Sequence, residues 1–437
     1  MDFIFCNVMY WSKYNRIYKI NKDTYVIYNY AWNKSIFLVS ALKKIVEAYI
    51  PSIDKLYLVH PSLFQALVQT NMISENKHEE NVIKRNIQQL LSSEKTLRLT
   101  INPTLDCNLR CWYCYEAHNH NNYMDDTVKN KIYQFVRYKL NKNVEKVRLA
   151  FLGGEPLMSA NTIAIPIAQE VVSMCKEKRK VVSLQFTTNG TLLDTCIIKK
   201  IAELHVSTSF QIAFDGDRKL HNHTKKWGDI STYDVVLENI NNILQHHMSV
   251  NIRCNYTSNN IQSFYSLLDD VAKLKNKDFS LLQISLQRVW QEPATEQLLR
   301  QAKMLEAYIR TLGFKGGMGD SICARNYCYA DYDNSFVINY NGDVFKCTAR
   351  DFNHSHRIAS LYDDDNSEIE KLSRTSEIRF QKVCDECSLF PICTICSQVH
   401  KEMSTDICPK KISDADKEQQ IKRYFNENFS KYIDTRK

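Results

Sequence analysis

From Leu97 onward the chain alternates between two patterns. Short apolar runs rich in β-branched and aromatic residues are each followed by a longer amphipathic stretch. The short runs predict strands over 97–102, 147–152, 182–188, 208–214, 249–256 and 281–289. The longer stretches predict helices over 125–140, 161–178, 194–204, 231–247, 261–274 and 294–312. Such alternation implies βα units around a parallel sheet, so the expected class is α/β. In a sheet of this kind ligands sit at the carboxyl ends of the strands. Residues 1–95 read differently. Thr24–Tyr28 and Ser35–Val39 are strand-like, and Leu56–Val59 is a third candidate. Ala41–Tyr49 reads as a helix stopped by Pro51, and another runs from His60-Pro61 to about Gln69. This gives a small N-terminal α+β domain, with polar Asn76–Ser93 as its linker. Gly313–Gly319 (GFKGGMG) reads as a hinge into a third block. There FVINYNGDVFKC is hairpin-like about Asn341-Gly342, and Asp414–Tyr432 is an amphipathic helix candidate. The expected domains are therefore 1–95, 96–313 and 314–437.

Composition narrows the class. Of 437 residues 44% are hydrophobic, enough for a full core. The 15 cysteines are odd in number and clustered. The N-terminus has neither a basic start, a clean apolar segment nor a small-residue cleavage site. A reducing cytoplasm with metal-bound thiolates is expected in place of a disulfide framework. No apolar run is long enough to span a membrane. The net charge of +8 is modest for this length and fits a mixed, solvated surface. No recognition helix or aromatic–basic stripe suggests nucleic acid as a partner.

The densest chemistry lies just after the strand 97–102. Cys107, Cys111 and Cys114 stand in CNLRCWYC, on a loop closed off from the strand by Pro103. A cubane iron–sulfur cluster normally takes four thiolates. Three close cysteines would leave one iron open to a small molecule, as open metal sites do in catalysis. A zinc knuckle is the plainer alternative. Further motifs follow the next strands: Gly153-Gly154-Glu155-Pro156, Thr187-Thr188-Asn189-Gly190 and Asp215-Gly216. Each is also a plain turn signal. Arg253 lies within an apolar strand and needs a partner, either an anionic ligand or a structural carboxylate.

Together these motifs resemble the radical S-adenosylmethionine (SAM) enzymes. The resemblance implies a partial (β/α)6 barrel in which Cys107, Cys111 and Cys114 hold a 4Fe–4S cluster whose open iron chelates SAM. The reduced cluster would cleave SAM to a 5′-deoxyadenosyl radical. Tyr113 would lie beside the adenine, Gly153, Gly154 and Glu155 would hold the SAM amino group, and Thr188 or Asn189 would approach the ribose. Arg253 would pair with the SAM carboxylate. Asp215 is a candidate either for a place near the substrate or for fixing its turn. The chain departs from the family pattern at Ala213, where Ser is common, and at Lys225 and Lys226, where Arg is common.

Eight further cysteines follow residue 313: Cys323, Cys328, Cys347, Cys384, Cys387, Cys393, Cys396 and Cys408. Eight thiolates suffice for two four-cysteine sites, of iron–sulfur or of zinc. Their order resembles the SPASM extension of radical SAM enzymes. Carried over, one auxiliary 4Fe–4S cluster takes Cys323, Cys328, Cys347 and Cys396, and the other Cys384, Cys387, Cys393 and Cys408. Cys393 and Cys396 are separated by two residues where the family usually has three. Cys6, Cys175, Cys196 and Cys254 read as buried apolar thiols. Most SPASM proteins modify peptides. The resemblance thus implies a maturase that cross-links a ribosomally made precursor, with a flavodoxin or ferredoxin as reductant. An N-terminal domain of this order resembles the winged-helix-like modules that bind a leader peptide as an added edge strand; the plainer alternative is a packing extension of the barrel. One rival is an anaerobic sulfatase maturase forming formylglycine. Thr348 stands after Cys347, where those enzymes usually place Asp. The other rival is a zinc-stabilised binding protein.

Overall fold

The computed structural model describes residues 8–114, 116, 121–318, 327–362, 365–376, 379–403 and 407–434, with side chains up to 429. They fall into two compact units. The first lies within Met1–Ser93, Ser321–Tyr332 and Thr375–Lys437, the second within Glu94–Asp320 and Asp333–Arg374.

In the first unit β1 (Asn15–Lys19), β2 (Thr24–Asn29) and β3 (Lys34–Val39) form an antiparallel sheet in that order. Side chains alternate faces along a strand. Val26 and Tyr28 of β2 therefore join one core and Ile27 another. The Ile27 core takes Val46 of α1 (Ser40–Tyr49) and Leu63, Phe64 and Leu67 of α2 (Pro61–Gln69). The Val26 core takes Ile83, Ile87 and Leu91 of α3 (Glu79–Ser92). It also takes Leu389 and Phe390, and Ile421, Tyr424 and Phe425 from the C-terminal helix Asp414–Asp434. Phe425 stacks on Tyr18 with ring centroids 4.1 Å apart.

The second unit holds a ten-stranded sheet. Its core strands are β4 (Thr96–Ile101), β5 (Lys146–Phe151), β6 (Val181–Thr188), β7 (Ser207–Phe214), β8 (Ser249–Tyr256), β9 (Leu282–Arg288) and β10 (Lys315–Met318). These seven are adjacent in sequence order and all parallel. β11 (Ser335–Ile338) adds in parallel beside β4, and β12 (Asp343–Phe345) and β13 (Ala359–Ser360) follow antiparallel. The crossovers are long helices, among them α4 (Asp126–Leu140), α5 (Ile165–Glu177) and α6 (Thr195–Ala202). The seven-residue α7 (Arg218–Thr224) precedes α8 (Thr232–Gln245). Alternate positions on neighbouring strands meet inside, so Phe151, Phe186 and Phe210 stack in a row at 5.0 and 5.3 Å. This is a mixed α/β fold with a largely parallel sheet, consistent with a partial barrel. All six expected strands and the crossover helices are present.

Four sequence readings change. Leu56–Val59 is a helical turn, because the chain is already turning through Ile50–Lys55. The expected linker is helix α3, whose Ile83, Ile87 and Leu91 at four-residue spacing make one apolar stripe. The expected hinge contains β10, paired with β9 from Gln283↔Lys315 to Leu286↔Met318. Gly316 is required there: at φ +129° a Cβ would come within 1.7 Å of Ile284 O. The block 314–437 divides, because β11 is hydrogen-bonded to β4 while the C-terminal helix packs on the N-terminal sheet.

Candidate active site

The cysteine loop leaves β4 at Asn102 and is fastened to the ends of β5 and β6. Gly154 N–H donates to Thr104 O at 3.1 Å and Glu155 N–H to Asp106 O at 2.8 Å. The two glycines permit this approach. A Cβ on Gly153 would lie 2.2 Å from Thr104 O, and one on Gly154 2.1 Å from Asp106 O. What these glycines admit is the protein's own loop. Asp106 Oδ1 accepts from Cys107 N–H at 2.8 Å and from Arg110 at 3.1 Å, bracing the turn that carries the first thiol.

Glu155 is fully buried and ties this loop to the end of β6. Its carboxylate accepts from Leu157 N–H (3.0 Å), the Thr188 hydroxyl (2.8 Å) and Asn189 N–H (2.7 Å). Burial nonetheless pushes it up to about 7. A buried carboxylate held so high is one that a ligand cation would stabilise in its charged form. Asn189 Nδ2 donates to Asn108 Oδ1 at 2.8 Å and reaches Cys107 Sγ at 3.7 Å. Glu155, Thr188 and Asn189 thus form one hydrogen-bonded connection from β5 to β6 to the first cysteine.

Cys107 is buried, and burial, with Glu155 next, pushes its thiol up to about 12. Cys111 raises both Cys107 and Cys114 electrostatically, as neighbouring thiols do. Cys114 N–H donates to Cys111 O at 3.1 Å, closing the turn between them. Among the described residues no group of three or more His, Cys, Asp or Glu side chains is already set around one point for a metal. The donor chemistry still suits a thiolate-bound cluster, with three neighbouring cysteines on one braced loop.

Beside the loop lies a cavity of about 130 Å³ at the carboxyl ends of β6–β9. Tyr113, Cys114, Thr188, Arg253 and Arg288 line it, and among the described residues its lining includes no carboxylate. The buried Nε of Arg253 has no hydrogen-bond partner among the described residues. A buried guanidinium nitrogen left so has room for an anionic partner. Tyr113 also borders a second cavity of about 250 Å³, with Trp112, Asp215, His223 and Asn259.

Asp215 follows β7 directly and pairs with Lys225 at 3.0 Å; both side chains are almost fully buried. Helix α7, capped by Asp217, spans the residues between and returns Lys225 beneath the strand end. Lys225 Nζ also lies 3.2 Å from the Tyr113 hydroxyl and 3.7 Å from Cys111 Sγ. Burial alone would lower its ammonium, but Asp215 holds it well above the usual lysine range. The sequence marked Lys225 only as a departure from a pattern; its burial was the missing signal.

Of the later cysteines, Cys328, Cys384, Cys387, Cys393, Cys396 and Cys408 belong to the first unit and Cys347 to the second, while Cys323 lies outside the described residues. The Cys328 and Cys396 thiols hydrogen-bond each other, which lowers Cys396 to about 6. Burial raises Cys384, which also feels Cys393 and Cys387. Lys417 is near both Cys387 and Cys408. All described cysteines are free thiols. Cys175 and Cys254 are buried as expected, whereas Cys196 is exposed at the start of α6. Cys6 is outside the described residues.

Residues 101–271 match the family model described as the Radical SAM superfamily. The chain contains a radical SAM domain. Among curated proteins it is similar to the radical SAM cyclopropyl synthase TigE of Paramaledivibacter caminithermalis, 24% identical over 49% of this chain and 49% of that protein. It thus spans about half of that relative. It is also similar to a cysteine-type anaerobic sulfatase-maturating enzyme of Clostridium novyi, 22% identical over 77% and 96% of the two chains. Among solved structures, SuiB of Streptococcus suis bound to the precursor peptide SuiA is alike over 92% of this chain and 99% of that one. At 15% identity and a TM-score of 0.50, that likeness concerns the fold. No helix among the described residues is long and apolar enough to cross a membrane.

Proposed function

We propose that the chain is a radical SAM peptide maturase that installs a side-chain cross-link, thioether or carbon–carbon, in a ribosomally made precursor. The observation that carries the SAM part is the carboxylate-free cavity beside the cysteine loop, with Arg253 Nε unpartnered in its wall. Cys107, Cys111 and Cys114 would hold the 4Fe–4S cluster, Arg253 the SAM carboxylate, and Tyr113 the face of the adenine. Glu155, fixed by Thr188 and Asn189, would meet the amino group through its charge. When bound, the cluster and SAM supply a 5′-deoxyadenosyl radical that abstracts hydrogen. The chain's own residues would anchor SAM at the carboxyl ends of the parallel strands.

A peptide substrate is supported by the precursor peptide on the fold neighbour SuiB. It is also supported by the N-terminal sheet: among the described residues β3 pairs on one side only, and Phe37 and Val39 on it are exposed by 47% and 54%. An unpaired, partly apolar edge can accept an extended leader as a further strand. The cysteines from Cys323 to Cys408 would hold two auxiliary clusters in the sets given above. The likeness to a sulfatase-maturating enzyme keeps formylglycine formation as the second reading. Mass spectrometry of a candidate precursor incubated anaerobically with the reconstituted protein, SAM and a flavodoxin reductant separates the two. A product two hydrogens lighter that holds together after proteolysis is expected. An aldehyde at a Cys or Ser would contradict the cross-link, and an unmodified peptide with intact SAM would contradict both.

A further inference from the structure

Among the described residues, one buried cation in contact with the cysteine loop, Lys225, is left over from that account. We infer that Lys225 is a positioning residue that sets the reduction potential of the cluster carried by Cys107, Cys111 and Cys114. The inference rests on the radical SAM reading of that loop. Lys225 is 3% exposed, and its Nζ has three neighbours: Asp215 Oδ2 at 3.0 Å, Tyr113 Oη at 3.2 Å and Cys111 Sγ at 3.7 Å. Tyr113 in turn accepts from Asn255 Nδ2 at 3.0 Å, so the lysine belongs to a small network closing one side of the loop.

Stability does not explain the arrangement. A buried ion pair is often no better than apolar residues of similar volume. The local fold already has independent supports: Asp217 caps α7, and the Thr232 hydroxyl donates to Lys225 O at 2.9 Å. What the ammonium adds is a full positive charge and an N–H aimed at a ligating sulfur. Both favour the more negative, reduced form of a thiolate-bound cluster and so raise its potential. Asp215 works in the opposite sense, because it offsets part of that charge from 3.0 Å.

The test is an EPR-monitored potentiometric titration of the reconstituted holoprotein, following the signal that changes when SAM is added. K225M is expected to shift the midpoint to more negative potential and D215N to shift it to more positive potential. K225R should stay nearest the wild type. A lysine that only holds the fold would move K225M and D215N together or not at all, and that result overturns the inference. Should K225M lose its iron, the D215N shift decides: positive upholds the inference, zero or negative overturns it. A wild-type protein with no SAM-responsive iron–sulfur signal would overturn the radical SAM reading itself, and the inference with it.

Discussion

The two cysteine-rich regions are held in different ways. The loop 103–114 is part of a hydrogen-bonded framework: its backbone oxygens receive N–H groups from Gly154 and Glu155, and its first sulfur meets Asn189. Cys384, Cys387 and Cys393 sit on or beside the three-residue turns Lys382–Cys384 and Phe390–Ile392, which distant side chains hold: Tyr30 donates to Ser388 O at 2.6 Å and Lys13 to Asp385 O at 2.8 Å. Arg379 adds to these, donating to Cys393 O at 2.9 Å while pairing with buried Asp331 at 2.8 Å. The first region is braced chiefly by backbone hydrogen bonds to the residues that follow β5. The second, on the reading proposed above, takes much of its order from the metal, as small metal-bound modules do.

That contrast predicts opposite costs for cysteine removal. C111A should abolish 5′-deoxyadenosine formation while leaving the melting temperature of the second unit close to wild type. C393A should instead open the first unit to limited proteolysis, and chelation should do the same to the wild type. Equal destabilisation by both substitutions would remove the distinction.

A smaller effect is expected from crowding the framework. G154A places a Cβ 2.1 Å from a backbone oxygen, so the cysteine loop must shift. Overpacking of this kind costs about 1–3 kcal/mol, read as a lowered midpoint in urea. Iron occupancy should fall with it. A variant of unchanged stability would mean the loop is less firmly seated than its bonds suggest.

The smallest effect concerns acid. Burial favours neutral Glu370, but hydrogen bonds from Lys142, Lys139 and Tyr138 outweigh it and hold the carboxyl at about 2. A depressed folded value contributes stability that is complete above the unfolded value of about 4.5 and is lost as pH falls toward 2. E370Q should therefore be less stable than wild type near pH 7, and the gap should close by about pH 2. A gap independent of pH would place the effect in packing.

Most of the sheet was legible because each strand carries its own apolar run and each crossover its own stripe. The N-terminal unit was less so. Its helix α3 is polar apart from a few residues, chiefly Ile83, Ile87 and Leu91, and composition hid the stripe. β10 was hidden by its glycines, which read as flexibility but fit the close backbone of β9. In the site, the cysteine spacing and the turn motifs named loops that the structure brings together. Their internal bonding did not show, since that Gly153 and Gly154 meet Thr104 and Asp106 depends on contacts some fifty residues apart. Lys225 was hidden for the same reason: in sequence it is one lysine among many, and only the return of α7 buries it against Asp215.

The central claim is that this loop and cavity bind a cluster and SAM together for reductive cleavage. The most direct measurement is release of 5′-deoxyadenosine by the anaerobically reconstituted wild-type protein with SAM and a strong reductant, beside its iron content. The account predicts deoxyadenosine at close to about twelve irons per chain, as three four-iron clusters require. Bound zinc, little iron and no deoxyadenosine would contradict it and leave a binding protein in its place.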